Sequence, residues 1–197
     1  MTDARAAVLG RIRAALGDAR TADTPSASKH TTPEPGDIER FCARVAEYRA
    51  AVHRSSAENV ATTVRALCRG RTAVAPDAPC ELDGIDILVD DPPLSVEALD
   101  ATDTVLTGCA QAIAETGTIV LDGGPRCGRR ALTLVPDHHV CVVHVHQVVA
   151  NVADAIAAMP RTAPITLVSG PSATSDIELE RVEGVHGPRR LDVVLVL

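Results

Sequence analysis

The sequence predicts an α/β protein: a mostly parallel sheet flanked by helices, with an N-terminal helical extension. Short β-branched runs separated by turn residues fill the chain after residue 70. Several runs are apolar without alternation, which is typical of strands covered on both faces. Helical stretches at 96–101 and 152–159 lie between runs, and such alternation favours parallel pairing. The runs lie at 72–75, 85–89, 104–106, 118–121, 140–145, 165–168 and 193–197.

An N-terminal helix is indicated by Val8, Ile12 and Leu16, which recur every four residues before Gly17. Residues 18–36 are rich in Thr, Ser, Pro and Asp, which is the composition of a flexible linker. We therefore predict a helix over 1–17, a linker over 18–36 and one domain over 37–197.

Two helices are predicted between residues 37 and 70, leading into the sheet. The first has apolar residues at i, i+3, i+4 and i+7 from Ile38, and we expect it to run to about His53. The second opens on a capping box formed by Ser55 and Glu58 and ends at Gly70, a residue that suits a helix C-terminus.

Composition excludes several classes of function. The net charge of −7 disfavours nucleic-acid binding, because contacts to phosphate require a surface rich in basic residues. Lys29 is the only lysine and lies in the linker, which disfavours a P-loop and a Schiff-base enzyme. The six cysteines form no CxxC pair, which disfavours an iron-sulfur cluster or zinc ribbon on this chain. No window is long and apolar enough for a membrane span, so we expect a cytoplasmic protein.

Three segments that follow apolar runs could carry chemistry, because ligands of parallel sheets usually bind where the strands end. In the first, 112–121, Glu115 is the only charge among small and apolar residues. A partly desolvated carboxylate would suit a general base or nucleophile. The alternative is a structural Glu bonded to the amides of its own turn.

The other two segments have the chemistry of anion sites. Residues 122–130 form a Gly-rich turn with three arginines, suited to a carboxylate or phosphate. A solvated basic loop is the alternative there. Residues 169–178 present hydroxyls and Asp176 as a helix N-cap, which could also bind an anion. Ser, Thr and Asp are equally the residues of a simple cap.

Histidines and a cysteine are concentrated between residues 138 and 146. They are His138, His139, Cys141, His144 and His146. No HExxH motif or carboxylate triad accompanies them, so we predict no metal and expect solvent-facing histidines on a half-exposed strand.

Four ordered motifs stand out along the domain: AIAETGTIVL, the Gly-Pro-Arg turn leading to LTLVPDHHVCVV, SGPSATSDIE and GVHGPRRLDVVLVL. Together they resemble the lactate-utilization protein C family, the LUD domain, over most of residues 38–197. The resemblance implies a fold similar to the glucosamine-phosphate isomerase, ribose-phosphate isomerase and CoA-transferase group. It also implies a part in L-lactate oxidation to pyruvate beside two iron-sulfur partner proteins. The clusters would belong to the partners, and this chain would bind no cofactor.

The resemblance also places a candidate site, motif by motif. Glu115 and His186 are the expected catalytic candidates, and His139 matches the His that opens a strand. The loop 122–128 departs from the family pattern, which makes Arg129 the expected anion contact. The remaining expected ligand-binding positions are Thr116, Gly117, Gly170, Ser172, Thr174 and Asp176. Pro171, Glu178, Gly187 and Pro188 complete the matched motifs.

These observations favour a non-redox subunit of a lactate-oxidizing complex with a small-anion pocket. Two alternatives stay open at this point. One is an independent enzyme acting on a phosphosugar or CoA thioester, with Glu115 as base or nucleophile. The other is a pure protein-interaction module that recruits a partner through the first helix and the linker. The sequence also allows a homo-oligomer.

Overall fold

The computed structural model describes residues 2–16, 33–160, 162–174, 182–183 and 187–197. The chain divides into two compact units, Met1–Thr31 and Thr32–Leu197. In the first unit the predicted N-terminal helix is α1, Thr2–Leu16, on which Val8 and Ile12 are 55% and 49% exposed. None of the helices in the described part of the chain is long and apolar enough to cross a bilayer.

The second unit is built on a six-stranded sheet in which every neighbouring pair is parallel, which confirms the predicted α/β class. Its spatial order is β1-β12-β7-β4-β2-β3. Inner strands have buried side chains on both faces, as unbroken apolar runs indicate. The strands are β1 (Ala51–Ser55), β2 (Thr72–Val74), β3 (Ile87–Val89), β4 (Thr104–Thr107), β7 (His138–His144) and β12 (Arg190–Val196).

A four-stranded sheet, of order β8-β5-β6-β9, packs against the first. It is mostly antiparallel, because a tight turn after β5 returns the chain as β6. The runs 118–121 and 165–168 belong to this sheet, and not to the parallel one. Its strands are β5 (Gln111–Ile113), β6 (Thr118–Leu121), β8 (Val148–Val149) and β9 (Thr166–Val168). A short antiparallel pair, β10 (Ala173–Thr174) and β11 (Val182–Glu183), follows.

Helices cover the outer faces of these sheets. One face of the parallel sheet packs against α3, and the other packs against α2 and the four-stranded sheet, where Phe41 and Val45 of the predicted stripe are buried. The far side of the four-stranded sheet is covered by α5. The helices of this unit are α2 (Ile38–Glu47), α3 (Val60–Leu67), α4 (Val96–Asp100) and α5 (Val152–Ala158).

The predicted boundaries of α2 and α3 are wrong. The first helix ends at Glu47, and after Arg49, whose φ is 64°, the chain becomes β1 and pairs with β12. Ser55 closes that strand and bonds to Thr63, so no Ser55–Glu58 capping box forms. Local spacing favoured helix here, but pairing with the sheet edge overrides it.

The last residues of the predicted linker, 33–36, lie inside the described chain and run along β8. Gly36 donates to the carbonyl of Val148, and Ala150 donates to that of Glu34. A Cβ on Gly36 would lie 2.5 Å from the carbonyl oxygen of Val149, so only glycine fits. Residues 18–32 of the linker lie outside the described residues.

Candidate functional site

A pocket of about 230 Å³ gathers residues from most of the motifs found in the sequence. It lies where β7 and β12 begin, where β9 ends, and beside the 3-10 helix Arg130–Thr133. It is therefore at the amino edge of two parallel strands, whereas the sequence analysis expected the carboxyl edge. Its lining residues are Arg130, Thr133, His139, Leu167, Val168, Ser169, Gly170, Pro171, Ser172, Gly187, Pro188 and Leu191.

Arg130 brings a positive charge to this pocket. Its guanidinium donates to the carbonyl and hydroxyl oxygens of Thr133, at 3.1 and 2.9 Å, and within the described chain it forms no ion pair with a carboxylate. Partial burial lowers the pKa of this guanidinium, which still carries its proton at neutral pH. Its charge is balanced by neutral groups only, so it can accept an anion from solution.

Arg129, the predicted anion contact, is already paired. Its guanidinium forms two hydrogen bonds to the Asp90 carboxylate, at 2.8 and 3.0 Å, and a third to the carbonyl of Leu94. These bonds to Asp90 raise the pKa of Arg129. Arg129 is thus neutralised by Asp90 and does not line this pocket, whereas its neighbour Arg130 does, so a ligand contact by Arg129 stays a prediction.

His139 lines the pocket and is held by a neighbouring strand. Its Nε2 shares a 2.8 Å hydrogen bond with the hydroxyl of Thr107 on β4, and the ring is 2% exposed. This bond leaves Nδ1 as the ring nitrogen that is not engaged with Thr107. A site role for His139 stays a prediction, and the expectation of solvent-facing histidines is wrong for His138 and His139, since both are buried.

A row of hydroxyl groups extends from the pocket. Thr118 shares 2.7 Å hydrogen bonds with both Ser169 and Thr116. The predicted ligand-binding residue Thr116 is thereby linked to the pocket through two bonds, although it does not line the wall. Ser172 does line the wall, and its backbone amide donates to the carbonyl of Pro188 at 2.8 Å, which joins the two matched motifs.

Two predicted glycines are explained by chain packing. At Gly117, where φ is +64°, a Cβ would lie 2.6 Å from the backbone nitrogen of Val45. At Gly170, where φ is +82°, a Cβ would lie 2.5 Å from the Cβ of Tyr48. Both turns therefore approach α2 or the turn that follows it, at distances that only glycine allows. Gly170 also lines the pocket, whereas Gly117 does not.

Glu115 is exposed in the turn between β5 and β6 and does not line the pocket. The expectation of a partly desolvated carboxylate is therefore wrong: the small residues around it are buried on their own side of the turn, while the Glu side chain faces outward. Its backbone amide donates to the carbonyl of Ala150. A catalytic role for Glu115 stays a prediction.

A second charged group lies behind the pocket, on the opposite face of the parallel sheet. We call it the Asp192 cluster, and it consists of Asp192, His53, His138 and Arg190. The fully buried Asp192 carboxylate accepts hydrogen bonds from His53 and His138, each at 2.7 Å, and from Arg190 at 2.6 Å. Burial alone would raise the pKa of Asp192, but these bonds outweigh it and hold the pKa well below its ordinary range.

The other histidines of the run lie at the far end of β7. The rings of His144 and His146 stack with centroids 5.3 Å apart. Burial, and then the nearby His146 and Arg126 charges, lower the pKa of His144. No group of three His, Cys, Asp or Glu side chains within the described residues has the arrangement of a metal site.

Three predicted site residues are not placed by the structure. Asp176 and His186 lie outside the described residues, and so does Glu178 of the same motif. Thr174 is described only as part of β10. The sequence analysis missed Thr133 and Thr107, because their roles arise from contacts with Arg130 and His139 that no local pattern encodes.

Comparisons with known proteins fit this arrangement. Residues 95–196 match the family model of the LUD domain. The chain is 51% identical to lactate utilization protein C of Deinococcus radiodurans over 81% of this chain and 79% of that protein. The chain belongs to the LUD domain family. This domain also has a solved structure, a DUF162 family protein from Deinococcus radiodurans, with a TM-score of 0.69 and 42% identity over 81% of this chain and 96% of that one.

More distant LUD relatives match a smaller part. Lactate utilization protein C of Halalkalibacterium halodurans is 32% identical over 51% of this chain and 47% of its own length. A protein of Escherichia coli, YkgG, is 30% identical over 50% of this chain and 47% of its own length. The fold class is thus shown, while the likeness to the isomerase and CoA-transferase group stays a prediction.

Proposed function

We propose that this LUD-domain protein serves lactate utilization by binding the carboxylate of L-lactate or pyruvate in the pocket beside Arg130. Several relatives bear the name lactate utilization protein C, which supports the metabolic role. In this proposal the chain is a subunit without its own redox centre. The electrons of the reaction pass to two iron-sulfur partner proteins in the cytoplasm, and the chain supplies a binding site.

The observation that carries this proposal is that Arg130 has no carboxylate partner among the described residues and lies at a pocket lined by hydrogen-bonding groups. A guanidinium bonded only to neutral oxygens matches a carboxylate, which it can bind through two parallel hydrogen bonds. His139 and Ser169 line the same pocket, and they supply polar atoms for the second substituent of a 2-hydroxy or 2-oxo acid. A volume of about 230 Å³ suits a small ligand.

Complementation of a deletion strain tests the proposal. L-Lactate oxidation is measured in extracts of a strain lacking this gene, after return of the wild-type chain, Arg130→Gln or Arg40→Gln. The Arg40 variant is the matched control, because Arg40 is an exposed arginine on α2, away from the pocket. We expect the wild type and Arg40→Gln to restore oxidation and Arg130→Gln not to.

The other outcomes are informative in different ways. If Arg130→Gln restores oxidation fully, the pocket is dispensable and the chain acts as a scaffold. If deletion leaves lactate oxidation unchanged, the metabolic role is wrong. Affinity capture with the wild-type chain then tests the partners: co-purification of iron-sulfur proteins with their visible absorption is expected, and an isolated chain that itself carries such a spectrum would overturn the non-redox role.

A further inference from the structure

A second cavity adjoins the pocket at Arg130. Its volume is about 340 Å³, and it shares Arg130 and Thr133 with the pocket. Both cavities follow the same edge strand, since residues 167–168 line the pocket and residues 165–166 line the second cavity. The two together form a groove between β9 and the 3-10 helix Arg130–Thr133, which we call the β9 groove.

The two halves of the β9 groove differ in chemistry. The pocket half presents His139, Ser169 and Ser172 beside Arg130. The second half is lined mainly by apolar groups, namely Leu121, Pro164, Ile165 and two glycines, with Thr133, Thr166, Arg129 and Arg130 at its wall. Its second arginine, Arg129, is neutralised by Asp90, so the shared Arg130 is the charge that this half has available beside a mainly apolar surface.

The apolar side chains of β9 and its approach are exposed along the groove. Ile165 is 43% exposed and Leu167 is 53% exposed. Exposed apolar side chains that line a concave surface are a common mark of ligand binding, because the ligand removes them from water. The second cavity adds about 340 Å³ beside the pocket, which leaves room for a substituent larger than the methyl group of lactate.

We infer that the β9 groove binds 2-hydroxy or 2-oxo acids whose apolar side chain is longer than the methyl group of lactate. The carboxylate binds at Arg130, and the side chain lies over Ile165. Arg130 lines both halves, so a carboxylate bound there can direct its substituent into the apolar half. This inference rests on the proposed function, since it assumes that Arg130 binds a carboxylate.

A chain-length series tests the inference on the full-length protein. Calorimetric titrations compare L-lactate, L-2-hydroxybutyrate, L-2-hydroxypentanoate and L-2-hydroxyhexanoate. We expect the dissociation constant to fall about fourfold for each added methylene, the factor expected when one CH₂ is removed from water. The series uses only the wild-type chain, so its result does not depend on whether a variant folds.

Two matched variants locate the apolar half. Ile165→Gln places a polar group in the β9 groove, whereas Ile156→Gln makes the same change on α5, where the isoleucine is 57% exposed and lines neither half. We expect Ile165→Gln to abolish the advantage of the longer acids while lactate binds as before. Ile156→Gln should leave the whole series unchanged.

The outcomes separate the inference from the proposed function. If lactate binds and the longer acids bind equally or more weakly, the inference is wrong and the proposed function stands. If no acid of any length binds, the proposed function is wrong and the inference falls with it. If the longer acids bind more tightly but Ile165→Gln and Ile156→Gln behave alike, the side chain lies elsewhere and the β9 groove is not its site.

Discussion

The Asp192 cluster and the Arg130 pocket lie on opposite faces of the parallel sheet, at the same ends of β7 and β12. They differ in whether the charged group has an oppositely charged partner within the described chain. His138 and His139 are adjacent on β7, and alternation along the strand sends the first to Asp192 and the second to the pocket. In the cluster a fully buried carboxylate is satisfied by three donors. In the pocket the guanidinium of Arg130 donates, within the described part of the chain, to neutral oxygens alone. The first arrangement stabilises the fold, and the second is left available for a ligand.

The same contrast separates two adjacent arginines. Arg129 is held by a carboxylate whose side chain is 2% exposed, and Arg130 by the carbonyl and hydroxyl of Thr133. The two side chains are chemically identical, so the difference in their pairing comes from the groups that lie within reach of each guanidinium in the fold. A charge neutralised inside the fold indicates structure, and a charge without a counterion beside a pocket indicates binding.

The largest effect is expected from Asp192→Asn. Removing the charge leaves Arg190 without its counterion and His53 and His138 without their shared carboxylate acceptor, and breaking a buried ion pair costs about 3–5 kcal/mol. Urea unfolding measures this loss in the free energy of unfolding. The control is Asp137→Asn, which breaks the solvent-exposed pair with Arg189 and should change the stability far less, because water screens that pair. Equal losses in the two variants would contradict the structural role of the Asp192 cluster.

The contribution of Asp192 should also depend on pH. Its pKa in the folded protein lies below that of the unfolded chain, so its stabilisation is complete above about pH 5 and is lost progressively as pH falls below the unfolded pKa of about 4 and then through the folded pKa. The difference in unfolding free energy between wild type and Asp192→Asn should therefore shrink between about pH 5 and about pH 3. A constant difference over this range would show that the carboxylate is not stabilised in its charged form.

A smaller loss of stability is expected from Arg129→Gln. Asp90 would lose both charge-assisted hydrogen bonds and keep the bond from the amide of Leu94, which costs about 2 kcal/mol. Arg130→Gln is the matched comparison and should cost less than about 1 kcal/mol, because its bonds go to neutral oxygens. Thermal or urea unfolding measures the loss of stability in the two variants. A larger loss in Arg130→Gln than in Arg129→Gln would contradict the structural role assigned to Arg129.

The smallest effect is expected along the hydroxyl row. Thr118→Val removes the bonds to Thr116 and Ser169 and should lower the free energy of unfolding by about 1 kcal/mol. Thr116→Val removes only one of these bonds and should cost about half as much. Urea unfolding of both variants measures the difference. A Thr118→Val variant as stable as the wild type would show that these hydroxyl bonds do not stabilise the fold.

The sequence was sufficient for the fold class, but not for the edge of the sheet at which the pocket lies or for the pairing of its charges. Apolar runs such as 193–197 and 140–145 predicted buried strands, because their composition directly reflects burial. The stripe at Phe41 and Val45 likewise predicted α2. The strand Ala51–Ser55 was missed, since its pairing with β12 joins residues far apart in the chain. The spacing of apolar residues within one segment does not indicate which distant strand that segment pairs with.

The assignment within the site failed for the same reason. The motifs brought His139, Gly170 and Ser172 correctly to one pocket. They could not distinguish Arg129 from Arg130, because the difference depends on Asp90, a residue 39 positions away. Nor could they show that Glu115 faces outward, because small neighbours are compatible with either side of a turn. Motifs locate a site, and the pairing of its charges decides which residues can bind.

Calorimetric titration of L-lactate into Arg130→Gln and Arg129→Gln, measured beside the wild type, tests whether Arg130 binds the carboxylate. We expect Arg130→Gln to raise the dissociation constant about 10- to 100-fold, since one charge-assisted contact to the carboxylate is lost. Arg129→Gln should bind lactate within about twofold of the wild type, a change of less than about 0.5 kcal/mol. Loss of binding in Arg129→Gln with unchanged binding in Arg130→Gln would show that Arg130 is not the carboxylate ligand.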